Sequence, residues 1–214
     1  MRLCEEGVAV TAVARDGAAL ETLLEQGVAV VARPGDVTDE ARVREIVTDH
    51  VARHEGLDIL INNAGTGCFG RLQDIEYAAL LETLEVNVGG TFLLMKAALP
   101  ILERQGDGDI INVSSVVGTR GYAEQSVYGA SKHAVLGLTK AAAVESHAHG
   151  VRVRSICPGG VDTELIAKAR PDLDRHGLIR PTEIAECVIF LLRMAQSGVV
   201  DNLNVRRAGS APWF

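Results

Sequence analysis

Tyr128 and Lys132 stand four residues apart in the segment Tyr128-Gly129-Ala130-Ser131-Lys132. In a helix this spacing places both side chains on one face, one turn apart. A tyrosine phenol has an ordinary pKa of about 10 and is a poor base at neutral pH, but a neighbouring ammonium group favours the phenolate. The pair could therefore carry out acid–base chemistry on a bound molecule.

The Tyr-x-x-x-Lys spacing is weak evidence when taken alone, because an exposed helical lysine near a half-buried tyrosine would give the same pattern. Two further polar residues strengthen the chemical interpretation. Ser115 follows a short apolar run, and Asn87 stands on a long helical stretch before it. We therefore interpret Asn87, Ser115, Tyr128 and Lys132 as one catalytic group.

Small or polar residues also follow other apolar runs of the chain. They are Asp36-Val37, Asn62-Asn63-Ala64-Gly65 and Pro158-Gly159. In sheets of parallel strands, ligands bind beyond the carboxyl ends of the strands. These segments are therefore candidates for the walls of a binding site.

The segment Gly65–Gly70 matches the pattern G-x-G-x-x-G and follows a strand. The dinucleotide fingerprint needs its glycines to open a helix, so that the helix N-terminus faces a pyrophosphate. Here the next helix is expected only near Asp74. We interpret the segment as a loop that packs beside a ligand, and not as a phosphate-binding turn.

Apolar runs that alternate with helical patterns must position these residues. The predicted strands are 8–14, 28–32, 57–61, 109–113, 151–156 and 199–205, and the predicted helices are about 17–26, 38–55, 75–104, 126–148 and 181–196. Such alternation predicts an α/β fold with a parallel sheet and helices on both faces. No repeat or linker divides the chain, so residues 1–214 are predicted to form one domain.

The composition excludes several classes of protein. The chain is 47% hydrophobic and 23% charged, and its net charge of −7 argues against nucleic acid or an anionic membrane as the main partner. No unbroken apolar run reaches the roughly 18–20 residues that cross a bilayer. The four cysteines contain no Cys-x-x-Cys pair, which favours free thiols in the cytoplasm, and the six histidines have no metal-ligand spacing. No metal is predicted.

The order of these motifs resembles that of the short-chain dehydrogenase/reductase family, and the resemblance covers essentially all 214 residues. It implies a Rossmann-like, doubly wound parallel sheet in a single domain. It also implies an oxidoreductase, dependent on NAD(P)(H), that interconverts a small ketone or aldehyde and its alcohol by hydride transfer. The partners that it implies are a small carbonyl or alcohol substrate and a second copy of the chain, as a homodimer or homotetramer.

The resemblance also implies a role for each residue of the catalytic group. Tyr128 would protonate the carbonyl oxygen during reduction, and Ser115 would hydrogen-bond the same oxygen. Lys132 would lower the pKa of Tyr128 and bind the nicotinamide ribose. Asn87 would kink its helix and hold a water of the proton relay.

The same resemblance implies a set of cofactor-binding residues. Asp36 and Val37 would line the adenine, Asn62 the adenosine side, and Val161 the nicotinamide amide. Arg15, at the end of the strand 8–14, suggests a partner for a 2′-phosphate, so NADP(H) is favoured and NAD(H) stays possible. The complete set is Arg15, Asp36, Val37, Asn62, Ala64, Gly65, Tyr128, Lys132, Pro158, Gly159 and Val161.

The beginning of the chain departs from the family pattern. Residues 2–6 are predicted to end a helix that Gly7 stops. The resemblance then implies that the first strand, a TGxxxGxG turn and most of the first helix are absent, with a gap between the strands 8–14 and 57–61. Two alternatives to an active enzyme therefore stay open: a catalytically inactive truncated member, and a cofactor-free binding or scaffold subunit. The substrate is not predicted.

Overall fold

The computed structural model describes residues 2–27, 31–169, 174–194 and 197–212. Within them, strands alternate with helices, as predicted. The strands are β1 (Thr11–Ala14), β2 (Val31–Pro34), β3 (Ile59–Asn62), β4 (Gly108–Val113), β5 (Val151–Pro158) and β6 (Asn202–Val205). The helices are α1 (Arg2–Glu5), α2 (Gly17–Glu25), α3 (Glu40–His54), α4 (Tyr77–Leu84), α5 (Gly90–Gln105), α6 (Ser126–Ser146), α7 (Glu164–Ala169) and α8 (Pro181–Arg193).

All the strand pairs among these residues are parallel, which confirms the predicted fold class. The order β3-β4-β5-β6 forms one sheet, and β1 and β2 form a second. Among the described residues, no strand pairing joins the two sheets. Every position of β1 is only partly buried, whereas β4 is buried at all but its last position.

Helices cover both faces of the larger sheet. Neighbouring residues of β4 point to opposite faces, so Ile110 packs with Met95 and Leu102 of α5, and Ile111 packs with Leu191 of α8. Ile110, Ile111, Leu102 and Leu191 are each fully buried. This sandwich fixes the carboxyl ends of β4 and β5, which carry Ser115 and Pro158.

Two predicted boundaries shift. Helix α3 does not begin at Thr38: Asp39 is its N-cap and accepts a hydrogen bond from the Arg42 N–H at 3.0 Å. Thr38 instead donates its N–H and its hydroxyl to Asp36, at 2.9 and 2.8 Å. Part of the predicted strand 28–32 lies outside the described residues, and β2 extends to Pro34.

The predicted helix 75–104 is one long helix with a defect. A π-helical turn at Glu85–Gly89 separates α4 from α5. By length and composition alone, Tyr77–Gln105 could cross a membrane, a test that core helices of globular domains also pass. Its inward face, with Met95 and Leu102, lies in the core.

The first helix of the chain was predicted from the sequence, whereas helix α7 was not. Residues 2–5 are helical, and Gly7 adopts the left-handed backbone (φ 81°) that ends a helix, as expected. Helix α7 was missed, because its six residues lie in a polar segment with little periodicity. Residues 170–173, which follow α7, lie outside the described residues.

Candidate active site

Helix α6 carries Tyr128 and Lys132 on one face, as their spacing predicted. The Lys132 Nζ lies 5.7 Å from the centroid of the Tyr128 ring and donates a hydrogen bond to the Val113 carbonyl at 2.9 Å. Lys132 is only 5% exposed. Its ammonium is therefore held between α6 and the end of β4.

Ser115 stands immediately beyond β4 and joins three segments. Its hydroxyl donates to the carbonyl of Pro158 at 3.2 Å and accepts from the Val117 N–H at 3.3 Å. A side-chain hydrogen bond also links Ser115 to Tyr128. The ends of β4 and β5 and the start of α6 thus meet at one hydroxyl pair.

The electrostatics differ from the expectation that Lys132 lowers the pKa of Tyr128. Burial raises the pKa of Tyr128, and only the hydrogen bond with Ser115 opposes that effect. Burial also lowers the pKa of Lys132 to about 8. In this geometry Lys132 does not contribute to the pKa of Tyr128, because its ammonium is directed to the Val113 carbonyl.

Asn87 lies in the π-helical turn and clamps the loop after β3. Its Oδ1 accepts from the Thr66 N–H at 2.8 Å, and its Nδ2 donates to the Thr66 carbonyl and the Ser131 hydroxyl, each at 2.9 Å. The helix is irregular at this residue, as predicted. Both ends of the amide have protein partners, so the role that the structure gives Asn87 is to hold this loop against α6.

A buried polar chain lies beneath this cluster, and sequence reasoning missed most of it. Asn62 donates to Asn112 Oδ1 at 2.8 Å, and Asn112 donates to the Thr139 hydroxyl at 2.9 Å. The signal available was an asparagine within the apolar strand β4. The Oδ1 of Asn62 is buried and has no hydrogen-bond partner among the described residues.

Gly65 shows why the loop after β3 needs a small residue. A Cβ placed there would lie 3.2 Å from Asn87 Oδ1 and 3.6 Å from Lys132 Nζ. The backbone of this loop therefore passes close to the catalytic side chains. Ala64, next to it, is exposed to solvent.

Arg15, Asp36 and Val37 follow the two strands of the smaller sheet. The Arg15 guanidinium lies 4.0 Å from the Asp36 carboxylate and is 73% exposed. Hydrogen bonds from Thr38, with a smaller contribution from Arg15, lower the pKa of Asp36. Val37 packs on Gly90, where a Cβ would lie 2.6 Å from the valine side chain, so this group adjoins the helix that carries Asn87.

The Pro158–Val161 segment continues from β5 into the region of α7. The Gly159 N–H donates to the Val205 carbonyl of β6 at 2.7 Å, and Val161 pairs with Ile179. Cys157, just before Pro158, is fully buried, and burial raises the pKa of its thiol. The thiol is therefore a wall residue and not a reactive group.

These contacts join five residues into one cluster: Asn87, Ser115, Tyr128, Lys132 and Pro158. Arg15, Asp36 and Val37 form a second group beside it. The arrangement suits proton transfer from Tyr128 to an oxygen bound beside Ser115, and the Ser115 hydroxyl could stabilise negative charge on that oxygen if it turned from the Pro158 carbonyl.

Comparisons with known proteins agree with this geometry. The sequence profile described as short chain dehydrogenase matches residues 1–174. A relative, cis-4-hydroxycyclohexanecarboxylate dehydrogenase from Sinomonas cyclohexanicum, is 38% identical over 176 residues, which is 77% of this chain and 70% of the relative.

Two solved structures extend the likeness to almost the whole chain. A variant of actinorhodin polyketide ketoreductase with NADPH superposes with a TM-score of 0.89 at 29% identity, covering 96% of this chain and 89% of the other. Xylitol dehydrogenase bound to NAD+ gives a TM-score of 0.83 at 30% identity, covering 95% and 90%. Motifs, fold and relatives agree, and the chain belongs to the short-chain dehydrogenase family, whose members are oxidoreductases.

Proposed function

We propose that this chain interconverts a small ketone or aldehyde and its alcohol with a nicotinamide cofactor, and that Tyr128 is the general acid and base. The observation that carries the proposal is the cluster in which Ser115 contacts Tyr128 while Lys132 and Asn87 fix the surrounding backbone. Such a cluster can protonate and stabilise an oxygen, as carbonyl reduction requires.

The residues present fit both sides of the cofactor. On the adenosine side, Asn62 Oδ1 is a buried acceptor without a partner among the described residues. On the nicotinamide side, Lys132 has two ammonium hydrogens left beyond its bond to Val113. Lys132 would hold the nicotinamide ribose, Val161 the nicotinamide amide, and Asp36 and Val37 the adenine. When bound, the cofactor supplies or accepts the hydride.

Proton transfer belongs to the protein's own residues. The raised pKa of Tyr128 keeps its phenol protonated at neutral pH, which suits an acid that gives its proton to a carbonyl oxygen. Ser115 would donate to the same oxygen in place of the Pro158 carbonyl, and would hold that oxygen in place. In the reverse direction Tyr128 must lose its proton, and the nearby Lys132 would favour that state once its ammonium turns toward the phenol.

The ends of the smaller sheet support a preference for NADP(H). Arg15 offers an exposed guanidinium suited to a 2′-phosphate. Asp16, the neighbouring carboxylate, serves as the N-cap of α2 and accepts from the Ala19 N–H at 3.1 Å. It is therefore less available to accept a ribose hydroxyl, which is the contact that favours NAD(H).

We also propose a homodimer or homotetramer in the cytoplasm. Exposed apolar side chains on α4, α5 and α6 support self-association through these helices; they include Tyr77, Leu81, Phe92 and Val144. Cys68, Cys157 and Cys187 form no disulfide in the part of the chain that the structure describes, which supports a reducing compartment.

Substitution of Tyr128 by Phe tests the proposal. We expect Tyr128→Phe to lower the NADPH-dependent turnover of a panel of small ketones by about 10²–10⁴-fold, the usual contribution of a general acid. Binding of NADPH, followed by nicotinamide fluorescence, should stay within a small factor of the wild type, and NADH should bind more weakly than NADPH.

Tyr77→Phe is the matched control, because it removes the same hydroxyl from a side chain that is 71% exposed on α4. Full turnover by Tyr128→Phe would rule out Tyr128 as the acid. Failure of the 214-residue wild type to bind NADPH would favour the alternative of a catalytically inactive member or a cofactor-free binding subunit.

A further inference from the structure

Phe69 lies against the proposed general acid. Its ring centroid is 5.4 Å from that of Tyr128, with the two planes inclined by 45°. Phe69 belongs to the loop after β3 and is half-buried. A group bound at the Tyr128 hydroxyl would therefore have an aromatic ring close by.

Leu165 of α7 lies near the same loop. A Cβ on Gly67 would lie 2.5 Å from Phe69 Cε2 and 3.2 Å from Leu165 Cδ1. The phenyl ring and the leucine methyl group thus both cover Gly67. Together they form one apolar surface, which we name the Phe69–Leu165 wall.

The loop that carries Phe69 is fixed at both ends. At its start, Asn87 binds the N–H and the carbonyl of Thr66. At its end, the Gly70 N–H donates to the Glu124 carbonyl at 2.9 Å, and Gly70 pairs with Gln125 just before α6. Gly70 has a φ of 148°, which side-chain-bearing residues rarely adopt. The ring is therefore presented at a defined position.

Two charged groups beside α7 pair with each other. Asp162 accepts a hydrogen bond from the Arg175 guanidinium at 2.6 Å. Neither charge is thus left to orient a polar substituent, whereas the Phe69–Leu165 wall offers apolar contact. A pocket of this kind selects by the area of apolar surface that a substrate buries.

We infer that the Phe69–Leu165 wall determines the substrate class of the proposed reaction, favouring a carbonyl that carries an apolar hydrocarbon group, such as cyclohexanone, over a small, hydroxylated carbonyl. This inference rests on the proposed function, because the wall acts on a substrate whose oxygen contacts Tyr128. Phe69 and Leu165 are specificity-determining residues under this proposal and take no part in proton transfer.

The test compares cyclohexanone with dihydroxyacetone in the wild type, Phe69→Ala, Phe69→Leu and Leu165→Ala. We expect Phe69→Ala to lower kcat/KM for cyclohexanone by at least about tenfold, mainly through KM, in line with the selectivity of apolar pockets. The value for dihydroxyacetone should change by less than about twofold. Phe69→Leu should keep most of the preference, and Leu165→Ala should lose part of it.

Phe190→Ala is the matched control, because it removes a phenyl ring that is 46% exposed on α8. Thermal unfolding of each variant identifies any that fails to fold, and Leu165→Ala then tests the wall independently. An equal loss for both ketones, or an unchanged preference, would overturn the inference.

A second readout separates the inference from the proposed reaction. Binding of cyclohexanol and of glycerol to the chain is measured by ligand-observed NMR, without turnover. If cyclohexanol binding weakens about tenfold in Phe69→Ala, as expected for an apolar pocket, the wall is supported. This holds even if the enzyme reduces neither ketone. A lack of reduction would count only against the proposed function. Cyclohexanol binding that does not depend on Phe69 would overturn the inference even in an active enzyme.

Discussion

At the scale of single residues, the site contains a buried charge, the ammonium group of Lys132. Lys132 is 5% exposed, and its ammonium has one hydrogen-bond partner in the Val113 carbonyl. Burial lowers its pKa to about 8, so folding at neutral pH must retain a charge that the interior disfavours. A residue that costs stability and still occupies the centre of the cluster is typical of a functional role.

Lys132→Met should therefore raise the free energy of unfolding at pH 7 by about 1–3 kcal/mol, since it replaces a buried charge with an apolar side chain of similar length. Between pH 8 and the ordinary lysine pKa of about 10.5, the unfolded wild type binds more protons than the folded one, so wild-type stability rises with pH. The advantage of Lys132→Met should accordingly shrink by pH 9.5.

Urea unfolding at pH 7 and pH 9.5 measures both effects. Lys140→Met is the control, because Lys140 lies on the exposed face of the same helix. A destabilised Lys132→Met at pH 7 would contradict the expected cost of the buried ammonium.

At the scale of elements, β4 and β5 are joined by an ion cluster as well as by their backbone ladder. Asp109 of β4 forms salt bridges with Arg152 at 2.8 Å and with Arg154 at 2.7 Å, both on β5. The alternating sequence of β5 suggests two exposed arginines, yet Arg154 is fully buried. The reason is that β5 lies in the interior of the sheet, and helices cover both of its faces.

Asp109→Ala should destabilise the fold by about 3–5 kcal/mol, because it leaves the Arg154 charge buried without its partner. The effect would be read as a lower midpoint of urea unfolding at pH 7. Asp107→Ala is the matched control: Asp107 also binds Arg152, but its side chain is 75% exposed, so the change should stay within about 1 kcal/mol. Similar losses for the two variants would mean that burial of Arg154 does not govern the cluster.

At the scale of the whole molecule, the described strands form two sheets that differ in how far they are shielded from solvent. The two-stranded sheet of β1 and β2 is partly exposed along β1, whereas β4 and β5 are covered on both faces. Two paired strands are marginal without further packing, which here comes from α2. Side-chain hydrogen bonds also link Thr11 and Arg33 to α3.

Native-state hydrogen exchange should therefore show different amide exchange rates in the two sheets. We expect the amides of β1 and β2 to exchange through low-energy local opening, well before those of β4 and β5, which should exchange only on global unfolding. Strand β3, paired on one side with β4, should fall between them. Equal protection of β1 and β5 would show that the interruption between the sheets has no energetic consequence.

The limits of sequence reasoning follow from the range of the interactions involved. The alternation of apolar runs with helical patterns determined the parallel α/β fold, and the four-residue spacing placed Tyr128 and Lys132 on one face, because both depend on local periodicity. The motif order also identified the family. Only the tertiary structure decided that the Lys132 ammonium binds the Val113 carbonyl, that Asn87 clamps Thr66, and that Phe69 lies on Tyr128.

These contacts join residues far apart in the chain. The geometry of the contacts depends on the conformation of the loops after β3 and β5 at the edge of the sheet. Burial has the same origin: whether Arg154 faces water or the core is set by the helices that pack over β5, and not by its neighbours in sequence. The sequence by itself determined which chemical groups the site contains. The packing decided their pKa values, their partners and the apolar wall beside them, because desolvation and long-range contacts exist only in the folded chain.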